Sequence, residues 1–423
     1  MNLIIKKSEI PKSLNSALLC ICISVAIIIP NDFYNIKKIS LFLLLIINSV
    51  MLITEIKKYK MILLFGVLFP IITTLFSIIL SNATLFEIIS KAYTPLYMLM
   101  VVIIRYYKID YKRIILFSLK LIALIVVIST ALDWFGYLSI YDNPILTFLR
   151  ENNSAKVGKA DAYIALGYMI FIQSSPLLLF LLGISIKTKS VFWIIITLVA
   201  IFFSGARALW IISVIEMFLI LQTDKKNISK KYRFIFAITL IIILLIALPN
   251  IVDVLQNSFK LKESGDAVRD GHLISVKNEI LESFGTLFFG HGFADYFFSI
   301  GNHEIVNVVE LSYWDLLRQL GLIGFIPFMC FILYPIKRLY KCDVALCVVY
   351  IGYLFVAYYN PLLYTSTAFV MYVLAYDECY IFKKIMNNKR GRYNDESHYP
   401  RRRRRHSTLP INNGNQQTAV TRI

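Results

Sequence analysis

The sequence predicts an all-α polytopic membrane protein with about twelve transmembrane helices and one large outer loop. Three observations carry that expectation. Of 423 residues, 58% are hydrophobic and only 17% charged, with a mean hydropathy of +0.68; a soluble domain carries about a quarter charged residues. Apolar runs near the length that crosses a bilayer, about 20 helical residues, recur along the chain. The basic residues then crowd into alternate connecting segments.

In order, the apolar runs cover about 13–30, 39–54, 61–80, 86–104, 114–132, 163–186, 190–204, 208–222, 234–250, 311–334, 344–359 and 362–382. Lys6, Lys7 and Lys12 precede the first run. No small-residue cleavage site follows it, so it reads as an uncleaved spanning helix. The seventh and eighth runs are short and meet at Ser204-Gly205-Ala206-Arg207, as a tight hairpin or as one broken helix. Lys91, Lys120 and Arg318 fall inside spans, where burying a charge is costly. The six cysteines form no CxxC pair and sit in or beside apolar runs, which reads as packing rather than metal or disulfide chemistry.

Charge gives the orientation. The net charge of +18 would suggest nucleic acid on a soluble chain. With the N-terminus inside, however, the inner segments hold 31 basic and 7 acidic residues, and the outer segments 10 and 14. That is the bias of cytoplasmic loops. Lys37 and Lys38 are the one pair on the wrong side. Two outer segments are long, about 133–162 and 251–310. Residues 1–382 read as the membrane domain. Residues 383–423, with Arg401 to Arg405 in a row, read as a basic, disordered cytoplasmic tail.

Missing motifs narrow the chemistry. There is no GxxxxGK[ST] phosphate loop and no HExxH metal motif. If the chain is an enzyme, its substrates arrive already activated, in the membrane or from outside. The informative polar residues stand outside. Arg207 lies at the outer junction of the seventh and eighth spans, where a guanidinium can clamp an anion or snorkel to headgroups. Arg269 stands in the large loop beside Asp266 and Asp270. His272, His291 and His303 follow; each also reads as a solvated loop histidine. Glu310 begins the tenth span, one turn before Tyr313 and Trp314, and Arg318 is one turn beyond Trp314.

These residues bear a resemblance. Ser204-Gly205-Ala206-Arg207, the loop Arg269, the turn Phe289-Gly290-His291-Gly292-Phe293 and the re-entry Leu320-Gly321-Leu322-Ile323-Gly324 follow one another. In that order they resemble the O-antigen polymerase and ligase superfamily of bacterial inner-membrane glycosyltransferases, over roughly residues 190–335. Ligases of that superfamily carry a His-Asn pair about eleven residues before the re-entry glycine; here Glu310-Leu311 stands there. That departure makes the chain more like the Wzy-type polymerases than the ligases.

The resemblance implies a metal- and nucleotide-independent glycosyltransferase with no cofactor. It would polymerise undecaprenyl-diphosphate-linked oligosaccharides into O-antigen or a related surface polysaccharide on the periplasmic face, with both termini cytoplasmic. Arg207 and Arg269 would hold the diphosphate, Glu310 would serve as base, and His272 and His303 would be fallbacks. Tyr313, Trp314 and Arg318 would complete substrate binding, the two aromatics reading equally as interface anchors. Partners would be the lipid-linked oligosaccharides, membrane lipids, a chain-length regulator and a flippase, and no nucleic acid. Two alternatives stay open. One is the ligase that transfers polymer to lipid A-core. The other is a twelve-span flippase or transporter, for which Lys91, Lys120, Glu87, Glu216, Asp315 and Arg318 within the spans are the argument.

Overall fold

The structure, a computed structural model, describes residues 12–31, 33–159, 168–223 and 267–397. The expected ninth span at 234–250, the first part of the large outer loop and the run Arg401–Arg405 lie outside the described residues. The chain divides into two units, Met1–Tyr380 and Ile381–Ile423. Helices dominate. Among the described residues, four are long and apolar enough to cross a membrane: Lys60–Leu80, Leu85–Tyr107, Tyr111–Trp134 and Ser312–Cys342. A fifth is the pair Ile36–Ile47 and Ser49–Lys58, bent by 67°, if it counts as one span. Shorter apolar helices are Lys12–Ile28, Ser175–Lys187, Val191–Phe203 and Val344–Tyr359.

Each departure from straight helix has a local cause. The run read as 39–54 breaks at Asn48. Its buried Nδ2 donates to the Leu44 carbonyl (2.8 Å) and to Asn15 Oδ1 (2.6 Å), so the side chain competes with the helix ladder. Pro95 lacks a donor, and Thr94–Leu99 tightens into a 3₁₀ stretch. The run read as one span over 163–186 is not one helix. Residues 168–172 form strand β2 (Tyr168–Ile172), antiparallel to β1 (Ala155–Lys159) with Lys156 opposite Phe171 and Gly158 opposite Met169. Its β-branched and aromatic residues suit a pleated ribbon, and an apolar run of this length reads the same as helix or strand. A second hairpin pairs β3 (Phe297–Ser299) with β4 (Glu304–Val306). Helix Ser366–Ser397 continues past residue 383, where a disordered tail was expected. Elongating a formed helix is cheap, and Lys and Arg there are good helix formers.

One contiguous apolar core joins the helices of the first unit. Lys12–Ile28 packs on Ile36–Ile47 and Tyr111–Trp134, and Arg207–Thr223 packs on Val344–Val356. Segments expected on one side contact one another. Arg105 pairs with Asp377 (2.9 Å), and Lys187 with Asp343 (2.7 Å). Among the outer segments, Asn31 N donates to Ser154 Oγ (3.1 Å), and Asn82 N to Asp295 Oδ1 (3.0 Å). The awkward Lys37 is buried at the start of its helix, where Nζ donates to Pro30 O and Ser366 Oγ. Lys38 stands over the Phe86 and Tyr93 rings. The cations inside spans are also compensated. Lys91 Nζ donates to Asn307 O (3.2 Å), and Lys120 lies 4.5 Å from the Trp193 ring centre.

Candidate functional site

Two glycines build the floor of the region expected on the outer side. Helix Ser312–Leu333 breaks at Gly321 (φ 57, ψ −178), a conformation essentially reserved for glycine. The break frees the carbonyls of Arg318 and Gln319. His291 N and Gly292 N donate to them, each at 2.9 Å. The two backbones touch. A Cβ on Gly321 would lie 2.4 Å from Gly290 N, and one on Gly290 would lie 2.5 Å from Gly321 N. The glycine turn and the glycine re-entry are therefore two halves of one contact. An apolar cleft of about 250 Å³ opens beside it, between Phe65, Phe69 and Phe76 on one helix and Leu320 and Pro327 on the other.

Above this floor, residues 267–281 form a helix that packs with Phe297, Val309 and Leu311 in a small second core. The helix carries Arg269 and His272 to Glu310. Arg269 Nη2 lies 3.5 Å from Glu310 Oε2. His272 is buried, with Nδ1 2.7 Å from Ser299 Oγ. Burial holds its imidazole below the ordinary range; the Glu310 charge works the other way, and Arg269 reinforces the burial. A third group joins from far along the chain: Lys156 Nζ on β1 lies 3.5 Å from Glu310 Oε1. The same hairpin touches the Arg207 junction. A Cβ on Gly205 would lie 2.8 Å from Met169 Cγ. Met169 and Lys156 share one face of the ribbon, because Gly158 and Phe171 oppose them. Arg207 itself is exposed at the first residue of helix Arg207–Thr223.

The remaining expected site residues are placed as follows. His303 is exposed in the turn of the β3–β4 hairpin, with φ 55. Tyr313 is half-buried, its hydroxyl donating to Leu354 O (3.0 Å). Trp314 packs against the second core, with Lys277 Nζ 5.6 Å from its ring centre. Arg318 departs from its expected role in substrate binding. It is 0% exposed, with Nη2 3.0 Å from Asp315 Oδ1, Nη1 3.5 Å from Asp295 Oδ2, and its guanidinium 4.1 Å from the Phe297 ring centre. Gln319 Nε2 donates to the other Asp315 oxygen (2.7 Å). Its partners surround it, so Arg318 ties the hairpin and the kinked helix together.

Sequence reasoning missed Lys156 and the Arg318 network. No local pattern marks Lys156, which meets Glu310 only through the hairpin fold. One group of described residues has metal-ligand types in reach of one another: Glu279, His291 and Asp295. Its atoms already have neighbours. His291 Nε2 lies 3.0 Å from Glu279 O, and Asp295 takes the Asn82 N–H and the Arg318 charge. That guanidinium would repel a metal cation at Asp295. Comparison with protein-family models and with curated proteins returned no match.

Proposed function

We propose that the protein is a membrane glycosyltransferase that polymerises undecaprenyl-diphosphate-linked oligosaccharide repeat units. It would act on the periplasmic face of a bacterial inner membrane, with twelve spans and both termini in the cytoplasm. The observation that carries this reading is the Arg269–Glu310 contact. A cation suited to phosphate and an acid suited to proton acceptance meet at 3.5 Å, both about half exposed. The apolar cleft beside the glycine floor supports it, since a lipid-borne donor needs apolar surface next to its charged head.

The reaction needs no external energy, because the bond broken already carries a diphosphate leaving group. Glu310 accepts the proton of the acceptor hydroxyl. The freed oxygen attacks the anomeric carbon of the donor chain. The anomeric C–O bond breaks, and the electron pair leaves with the lipid diphosphate. Arg269 and Arg207 stabilise the charge that develops there. Conservative replacement in a strain that makes long polysaccharide tests the roles. Short or single-unit glycan from Arg269→Ala and Arg207→Ala supports them, and full-length polymer removes them.

A further inference from the structure

We infer that Lys156 is a phosphate-holding residue of this site, and that Glu310 stays engaged between two cations until an anion takes its place. This rests on reading the Arg269–Glu310 pair as the place where the donor diphosphate is received. Lys156 faces Glu310 Oε1 and Arg269 faces Oε2, each at 3.5 Å. One carboxylate is thus the shared counter-ion of two cations that approach it from different oxygens. Both distances exceed the about 2.7–2.9 Å of a charge-assisted hydrogen bond. The side chains are 72% (Lys156), 45% (Arg269) and 41% (Glu310) exposed. Open ion pairs of this length are weak, so an incoming anion has little to displace. A diphosphate carries enough charge to engage both cations.

The fold fixes where Lys156 stands while leaving its ammonium free to turn. At the base of the hairpin, Asn31 Nδ2 donates to Asn153 O (2.6 Å) and Gln173 N to Ser154 O (3.0 Å). At the other end, the Tyr168 hydroxyl donates to Asp133, and its ring meets Phe203 edge-on at 6.0 Å. Burial and that carboxylate push the Tyr168 hydroxyl up to about 12, so it remains a donor. The ribbon is thus clamped at both ends, with Lys156 against Glu310 and Met169 against Gly205. When a diphosphate arrives, Lys156 and Arg269 turn to its oxygens. The Glu310 carboxylate then loses its counter-ions and can accept a proton from the acceptor hydroxyl. The base becomes available only when the donor is present.

Calorimetric titration of inorganic pyrophosphate into the purified full-length protein tests this. Wild type is expected to bind it. Lys156→Gln is expected to weaken binding about tenfold or more, and Lys156→Arg to restore it. Glu310→Gln is expected to tighten binding, because the competing carboxylate is gone. No binding by wild type, equal binding by Lys156→Gln, or no gain with Glu310→Gln would each overturn the inference. The lipid-borne source is separated by chain extension of lipid-linked repeat units, where Lys156→Gln should raise KM for the donor more than it lowers kcat; an unchanged KM counts against it. Absence of chain extension in wild type would sink the polymerase reading, while the pyrophosphate titration would still decide the role of Lys156.

Discussion

Replacing Gly321 by alanine attacks the floor on which the candidate site stands. At φ 57 and ψ −178, a residue with a Cβ carries strain of about 1–3 kcal/mol. The new Cβ would also lie 2.4 Å from both Gly290 N and Phe288 O. Both are backbone atoms, so relief requires moving the turn, and overpacking of this kind costs about 1–3 kcal/mol. Moving the turn loosens the hydrogen bonds from His291 N and Gly292 N, each worth about 0.5–1.5 kcal/mol. The total is about 3–9 kcal/mol if both bonds are lost. Thermal unfolding of the detergent-solubilised protein, followed by tryptophan fluorescence and by aggregation, reads it out. Gly285→Ala is the control, because a Cβ there meets only Ser283 Oγ at 3.4 Å. Gly321→Ala should lower the midpoint by several degrees, and Gly285→Ala should leave it unchanged or raise it slightly. Equal midpoints for Gly321→Ala and wild type would refute the glycine-on-glycine contact.

Three further outcomes are expected. Asp315→Asn should destabilise the fold by about 3–5 kcal/mol, as removal of one partner of a buried pair does; adding Arg318→Met should not recover the loss, because it leaves the buried Asp295 carboxylate without its cation, as the same melt would read. His272 has a lowered affinity for protons in the folded state, so the unfolded chain binds more protons below its ordinary value of about 6.5. Stability should therefore rise with pH through the window below that value and level off above it. His272→Asn should flatten that slope, as seen in melts across about pH 5–8. Arg269→Lys should retain part of the activity that Arg269→Ala loses, since a point charge replaces a planar fork; chain length on a polysaccharide gel distinguishes the two.

Some of this was legible in the residues. Gly290 read as part of a turn from the residues themselves, and the re-entry at Gly321 came only with the family resemblance. Arg269 stood out as a cation in the large loop and Glu310 as an acid at the start of an apolar run, and the fold brings them into contact. Other features were hidden for physical reasons. The strand Tyr168–Ile172 sits inside an apolar run, where composition cannot separate strand from buried helix. Lys156 gains meaning only through antiparallel pairing and a contact with a distant residue. Trp314 looked available because helical spacing sets it near Glu310, and Arg318 because spacing sets it one turn beyond Trp314. Spacing along one helix does not reveal that Asp295, Phe297 and the small core around Val276 come from outside it to cover them.

The central claim is that an acid and its neighbouring cations on the outer face transfer glycan from a lipid diphosphate. The most direct measurement is chain extension by purified protein in liposomes supplied only with undecaprenyl-diphosphate-linked repeat units. Wild type should lengthen the glycan without nucleotide or added metal. Glu310→Gln should lower the rate by about 10²–10⁴, as loss of a general base does, and Arg269→Ala by about 10²–10³, as loss of a charge-stabilising donor does. Extension at the wild-type rate by Glu310→Gln, or no extension by wild type, would contradict the account.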